Sequence, residues 1–169
     1  MAPKTPKETL SIATHYVLPT DINNLRHLFG GRLLEWMDVI AAVAAQRHCG
    51  RVAVTATVNH VAFHSPITYG SIVTLEAKVS RAFQSSMEVF IDCFVEDSQS
   101  GERKKTNEAI YTMVAVDESH RPSAVPSIVP ETEEEKRRYE GALLRRQLAL
   151  LLAGKLKAEQ ATELRNFFA

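Results

Sequence analysis

The sequence predicts an α+β fold in which a curved antiparallel sheet wraps around one long central helix, with an extra helix at the C-terminal end. Three observations predict it. Residues 30–48 are apolar on nearly every side at helical spacing, the pattern of a buried helix. After Cys49-Gly50 the period switches to two, and the segments 52–58, 72–81, 86–96 and 104–116 alternate and are rich in β-branched residues. The links between these segments are mostly of hairpin length, which makes neighbouring strands antiparallel. A single helix among such strands buries itself across the concave face of their sheet.

The elements follow in chain order. Residues 1–8 are basic and proline-containing, lack the apolar core of a signal peptide, and read as a disordered tail. Thr9 to Leu18 reads as a strand, and Pro19 to His27 as a polar turn region. The helix then runs to Cys49-Gly50, where glycine ends it. Phe63 to Gly70 is a connection marked by Pro66, and Asp97 to Gly101 is a polar hairpin loop. The domain therefore spans residues 9–117. Residues 118–130 carry Pro122, Pro126 and Pro130 and form an extended linker. A helical extension fills 131–169: Thr132 with Glu135 fits a capping box, and a charged solvated start is followed by an apolar stripe of Leu143, Leu144, Leu148, Leu151 and Leu152. That stripe is expected to pack or to form oligomer surface rather than to bind membrane. A short last helix reaches Phe168.

Bulk properties narrow the function. The 169 residues suffice for one domain with a core. Lys plus Arg and Asp plus Glu number 20 each, so nothing marks a nucleic-acid or anionic-membrane partner. Cys49 and Cys93 stand far apart outside any C-x-x-C arrangement, which points to reduced thiols and a cytoplasmic address. No apolar run approaches the ~20 residues of a membrane span. His60 and His64 are four apart, but they sit at a strand end and before Pro66 with no third ligand in view, so no metal site is expected.

The chemistry centres on Asp38, one carboxylate in the middle of the apolar helix. A buried ionised acid costs several kcal/mol unless compensated. The alternative is a structural acid paired with Arg32 or Arg47. Gly30-Gly31 opens the same helix, where the first N–H groups are unpaired and the dipole is positive. Without Cβ atoms a carbonyl oxygen can approach them closely. The bland alternative is close helix–strand packing. Gly31 and Asp38 share a helix face, yet seven residues at 1.5 Å rise separate them by roughly 10 Å. Attack at a carbonyl needs contacts of about 3 to 3.5 Å. One helix copy cannot offer both groups to one carbonyl, whereas two antiparallel copies can. The spacing therefore predicts a homodimer with two equivalent sites at its interface.

The stretches Leu18-Pro19-Thr20-Asp21-Ile22-Asn23, Phe29-Gly30-Gly31 and Leu33-Leu34-Glu35-Trp36-Met37-Asp38 resemble the signature of hotdog-fold acyl-CoA thioesterases, the brain-type acyl-CoA hydrolases and their short bacterial relatives. Further matches are Val54-Thr55 before Val58-Asn59, Phe63-His64-Ser65-Pro66 with Gly70, Ser85-Ser86-Met87-Glu88-Val89, Gly101-Glu102-Arg103 and Val114-Ala115-Val116-Asp117. The resemblance implies a hotdog fold and hydrolysis of acyl-CoA to a free acid and CoA, without metal or redox cofactor. It implies that Asp38 activates water or attacks directly, that Asn23 orients water or carbonyl, and that Gly31 N–H polarises the thioester. It also implies assembly of dimers into a trimer of dimers. Relatives usually carry a further Asn-Gly where this chain has Asn24-Leu25-Arg26-His27, so Asn24 competes with Asn23 for the site, the other asparagine shaping the turn. Contacts to CoA are expected from Gly30, Arg81, Ser85, Ser86, Arg103, Lys104 and Lys105, with Arg26 or His27 as further phosphate candidates. Two rivals are a hotdog hydratase or dehydratase acting on acyl carriers, and a non-catalytic acyl-CoA binder. The first wants a histidine–acid pair, and no His-Phe-Pro-Gly segment surrounds His27. The second has no use for a buried acid.

Overall fold

The computed structural model describes residues 1–97 and 100–168. Five strands, β1 (Ser11–Tyr16), β2 (Ala53–Phe63), β3 (Ile72–Ala82), β4 (Ser86–Glu96) and β5 (Arg103–Ala115), form one antiparallel sheet in the order β1-β3-β4-β5-β2. The expected hairpin loop 97–101 joins β4 to β5, and its residues 98 and 99 lie outside the described residues. The helix α2 (Gly30–Cys49) crosses one face of this sheet, and Gly50 ends it in the left-handed conformation (φ 67°) that glycine adopts without strain.

Alternation along the strands separates two faces. Val73, Leu75, Ala77 and Val79 of β3, Met87, Val89 and Ile91 of β4, and Tyr111 and Met113 of β5 are fully buried in the core cluster with Leu33, Met37, Ala41 and Ala44 of α2. Cross-strand partners such as Val89↔Tyr111 and Met87↔Met113 share this inner face. The outer face carries Lys78, Ser80, Glu88, Phe90 and Asp92, and α3 (Glu133–Leu152) lies over it. The Thr132–Glu135 capping box is formed, with Glu135 N–H donating to Thr132 Oγ1 at 3.2 Å and Thr132 N–H to Glu135 Oε2 at 3.2 Å. A short α4 (Thr162–Phe167) folds back on α3, where Leu164 N–H donates to Gln147 Oε1.

Two expectations need correction. First, the N-terminal segment is not a loose tail: Pro6–Thr9 forms a short helix α1, Lys4 pairs with Ile128, and Lys4 Nζ donates to the carbonyls of Arg47 (2.6 Å) and His48 (2.8 Å). A cation at the end of α2 satisfies carbonyls that have no intrahelical partner and complements the dipole. Second, residues 118–130 are a pinned strap: Val125 and Ile128 are buried, and buried His48 bonds the Pro126 carbonyl at 2.8 Å through Nε2. Within the single chain α2 is covered by the sheet and is not enclosed on all sides. Gly31, Glu35 and Val39 are exposed on the flank that the sheet does not cover.

Candidate active site

Phe29 is the N-cap of α2, with its N–H bonded to the Asp21 carbonyl (2.8 Å) and its own carbonyl accepting from Arg32 and Leu33. Buried Asp21 braces this corner by accepting from Leu18 N–H (3.0 Å) and pairing with Arg32 (3.1 Å). The N–H groups of Gly30 and Gly31 have no backbone acceptor among the described residues. A Cβ at Gly30 would meet Phe63 at 3.6 Å, and one at Gly31 would meet Phe29 at 3.6 Å, both ordinary contacts. Close packing within the subunit therefore does not require these glycines. What they provide is a pair of exposed amide donors at a positive helix end. A cavity of about 350 Å³ opens beside Gly30, lined by His27, Leu33, Phe63, His64, Pro66 and Ile67 among others.

Asn23 shapes the loop that precedes this corner. Its Oδ1 accepts from Leu25 N–H (2.9 Å) and His27 N–H (3.2 Å), an Asx-type arrangement, while its Nδ2 is uncommitted among the described residues. Asn24 is exposed and makes no such bonds. One half-buried asparagine thus both builds the turn and keeps a donor free.

Asp38 lies two turns along the helix, half-buried. Its Oδ1 accepts a 2.6 Å hydrogen bond from Thr55 Oγ1 on β2. Arg32 pairs with Asp21 and Glu35, and Arg47 bonds the Leu10 carbonyl, so neither arginine neutralises Asp38. No cation reaches Asp38 within ion-pair distance among the described residues. Beneath it, Tyr111 donates to the Leu34 carbonyl at 3.2 Å, and burial together with the Asp38 charge pushes the tyrosine's pKa up to about 12. Thr55 and Tyr111 are the neighbours that sequence reading missed as site residues. Their side chains read as ordinary strand alternation, and only the packing of α2 on the sheet brings them to Asp38.

The expected CoA contacts do not converge. In the β4–β5 ladder Ser86 pairs with Val114 at one end and Glu96 with Arg103 at the other. At about 3.3 Å per residue the ends are roughly 30 Å apart, so one chain cannot bring Ser86 and Arg103 to the same part of one CoA. Arg103 pairs with Glu76, Lys104 with Glu102, and Lys105 with Asp92 and Glu108. Arg81 donates to the Tyr139 carbonyl, and buried Ser86 accepts from Arg146. Half-buried Ser85 holds the ladder end through its carbonyl, which accepts from Ala115 N–H. Arg26 stacks on Tyr69. Among the described residues no group of three His, Cys, Asp or Glu is placed to hold a metal ion.

A helix laid in a five-stranded antiparallel sheet, with a central acid and a glycine-opened N-terminus, defines a hotdog thioesterase. The chain belongs to the thioesterase superfamily, whose family model matches residues 25–102. More particularly, it is 43% identical over 129 residues to a Bacillus subtilis protein named as an uncharacterized acyl-CoA thioester hydrolase, covering 76% of this chain and 75% of that one. A solved apo-hexameric acyl-CoA thioesterase superposes with a TM-score of 0.87 at 40% identity, covering 90% of this chain and 98% of its own. The acyl-CoA hydrolase of Staphylococcus aureus, solved with butyryl-CoA, CoA and CoA disulfide, superposes with a TM-score of 0.83 at 34% identity, covering 90% and 94%. That enzyme has also been solved with an asparagine, an aspartate or a threonine changed to alanine. There the aspartate follows the asparagine by fifteen residues and the threonine follows the aspartate by seventeen. The same two intervals separate Asn23, Asp38 and Thr55.

Proposed function

We propose that this chain hydrolyses acyl-CoA thioesters to a free carboxylic acid and CoA, at sites shared between two protomers. The observation that carries the reading is the Asp38–Thr55 pair on the exposed flank of the molecule. Residues 54–60 of β2 are exposed on both faces, and Val39, Val58 and Phe63 show 61%, 48% and 55% of their surface. A long edge strand left bare, with exposed valines among its threonines, is a template for pairing. A second copy set against it by a two-fold axis covers this flank and turns the start of its own α2 toward Asp38.

In that site Asp38 takes a proton from water. The oxygen so activated attacks the thioester carbon, and the oxyanion that forms is held by the N–H of Gly31 from the other protomer. Asn23 Nδ2 orients the water or the carbonyl. The C–S bond then breaks, and the proton passes from Asp38 to the departing thiolate, leaving acid and CoA. Thr55 fixes one carboxylate oxygen and leaves the other for water. These groups complete the chemistry without a metal or redox cofactor, and the substrate's CoA is the sole partner molecule, with no role for nucleic acid or membrane. Three such dimers assemble as a hexamer, the state named for the apo-hexameric relative. The two buried free thiols, Cys49 and Cys93, suit a reducing cytoplasm.

Asp38→Asn is expected to lower turnover about a hundredfold or more while the oligomer persists in light scattering. Near-normal turnover removes Asp38 from the chemistry. Mixing inactive Asp38→Asn and Asn23→Ala proteins is expected to restore roughly a quarter of the activity once subunits exchange, since half of the dimers then hold one intact site of two. No recovery despite proven exchange places both residues in one protomer.

A further inference from the structure

The C-terminal helix brings a second arginine to the hairpin between β3 and β4. Arg146 of α3 stands over the ring of Phe83 at 4.1 Å, and Arg81 of β3 stands over the same ring at 5.7 Å. The two guanidinium carbons are therefore no farther apart than the sum of those distances. Neither has a carboxylate partner among the described residues. Arg146 donates to Ser86 Oγ (2.8 Å), and Arg81 donates to the Tyr139 carbonyl (2.9 Å) and stacks on its ring. The acid paired with Arg81 across the β3–β4 ladder, Glu88, is 3% exposed and already saturated: Arg145 holds both its oxygens at 2.8 and 2.9 Å, and Ser80 donates to one of them at 2.6 Å. Glu88 and Arg145 cancel, so Arg81 and Arg146 remain as two uncompensated positive charges. Burial lowers the pKa of Arg146, the sign that its charge is partly stripped of water.

Beside Arg146 is a cavity of about 130 Å³, lined also by Thr57, Asn59, Phe83, Thr112 and the ion-paired Glu88; Arg81 does not line it and adjoins it through the shared Phe83 ring. A guanidinium presents a planar fork of donors to phosphate oxygens, and two such forks with hydroxyls alongside make an anion site. Arg103, Lys104 and Lys105 offer nothing comparable, since each is paired with an acid.

We infer that Arg146, with Arg81 beside it, binds a phosphate of the CoA nucleotide, so that α3 forms part of the substrate site. This rests on the acyl-CoA reading above. It gives the C-terminal extension a role in recognition, separate from the hydrolysis at Asp38.

The test compares CoA with pantetheine, which lacks every phosphate. In calorimetry, Arg146→Gln is expected to weaken CoA binding about tenfold or more and to leave pantetheine binding unchanged, with Arg146→Lys in between. In steady state the same variant is expected to raise KM for an acyl-CoA by a similar factor, at constant kcat and without effect on the matching acyl-pantetheine. Equal losses for both ligands reveal a merely structural arginine and overturn the inference, as does unchanged CoA binding. If no thioester is cleaved yet Arg146→Gln still selectively weakens CoA binding, the hydrolase reading fails and the phosphate site stands.

Discussion

The two faces of the one sheet are held by different forces. On the inner face, fully buried aliphatic and aromatic side chains of β3, β4 and β5 meet α2, and the attachment is non-directional burial of apolar area. On the outer face, α3 is fastened by ion pairs: Arg138 to Asp92 at 2.8 and 3.0 Å, Arg145 to Glu88, and Lys78 to Glu135 at 3.6 Å. Its leucine stripe is split: Leu143, Leu144 and Leu151 are half-buried, Leu148 is exposed and Leu152 is 82% exposed, while the buried members of the helix are Glu135 and Ala142. The lesson is a division of labour. Hydrophobic packing supplies the stability that keeps Asp38 on a rigid helix, whereas directional pairs set where α3 lies and which arginines remain unpaired.

Three variants break or sharpen this contrast. The largest effect is expected on the inner face. Leu75→Ala removes a fully buried side chain and is expected to cost about 2–5 kcal/mol in urea unfolding, whereas loss of a value well under 1 kcal/mol would show that the inner face tolerates a void. Next comes the edge where α2 meets β2. Thr55→Ala deletes the 2.6 Å bond to Asp38 and is expected to reduce turnover about tenfold with little change in stability, because Thr55 is exposed. An unchanged turnover would mean that Asp38 needs no such support.

The smallest effect belongs to the outer face and depends on pH. Burial pushes the Asp92 carboxyl up, but hydrogen bonds from Arg138 and Lys105 and their charges pull it further down, so the group sits below the usual carboxylate range. Glu135 is likewise lowered: burial opposes, and the Glu131 and Thr132 amides with Lys78 prevail. A depressed folded value means that these acids stabilise the docked α3 above their unfolded pKa of about 4. That stabilisation is lost as pH falls through the folded value. Amide exchange in α3 is expected to rise at acid pH before exchange in β3–β5 does, by about 1 kcal/mol of opening free energy. Asp92→Asn is expected to abolish most of this pH dependence. Simultaneous loosening of sheet and helix would contradict the contrast.

Much of the fold was legible because its signals are local. The expected strand 86–96 coincides with β4, 72–81 falls one residue short of β3, and 104–116 is offset by one residue from β5. Gly50, the Thr132–Glu135 box and the strand alternation act within a few residues of themselves. β2 extends to Phe63, beyond the expected Val58, because its pairing with β5 continues through two register shifts that no period-two template contains. At the site, Asp38 and Gly30-Gly31 stood out through residue type and spacing, whereas Asn23 entered through the resemblance of the surrounding motif to a family of hydrolases, with Asn24 as its competitor. Thr55 lay in a matching segment, Val54-Thr55, but drew no site role because a threonine in a strand is ordinary.

What the sequence by itself determined is the set of elements, the inward and outward sides of each strand, and the placement of one acid and one glycine pair on one helix. Those follow from backbone periodicity and from the chemistry of single side chains. Tertiary structure alone decided that Lys4 caps α2, that Thr55 meets Asp38, that the basic residues near β5 spend their charge on neighbouring acids, and that Arg81 and Arg146 do not. Such pairings join positions far apart in the chain, and their energy depends on distances and dielectric surroundings that exist only once the sheet has closed over its helix.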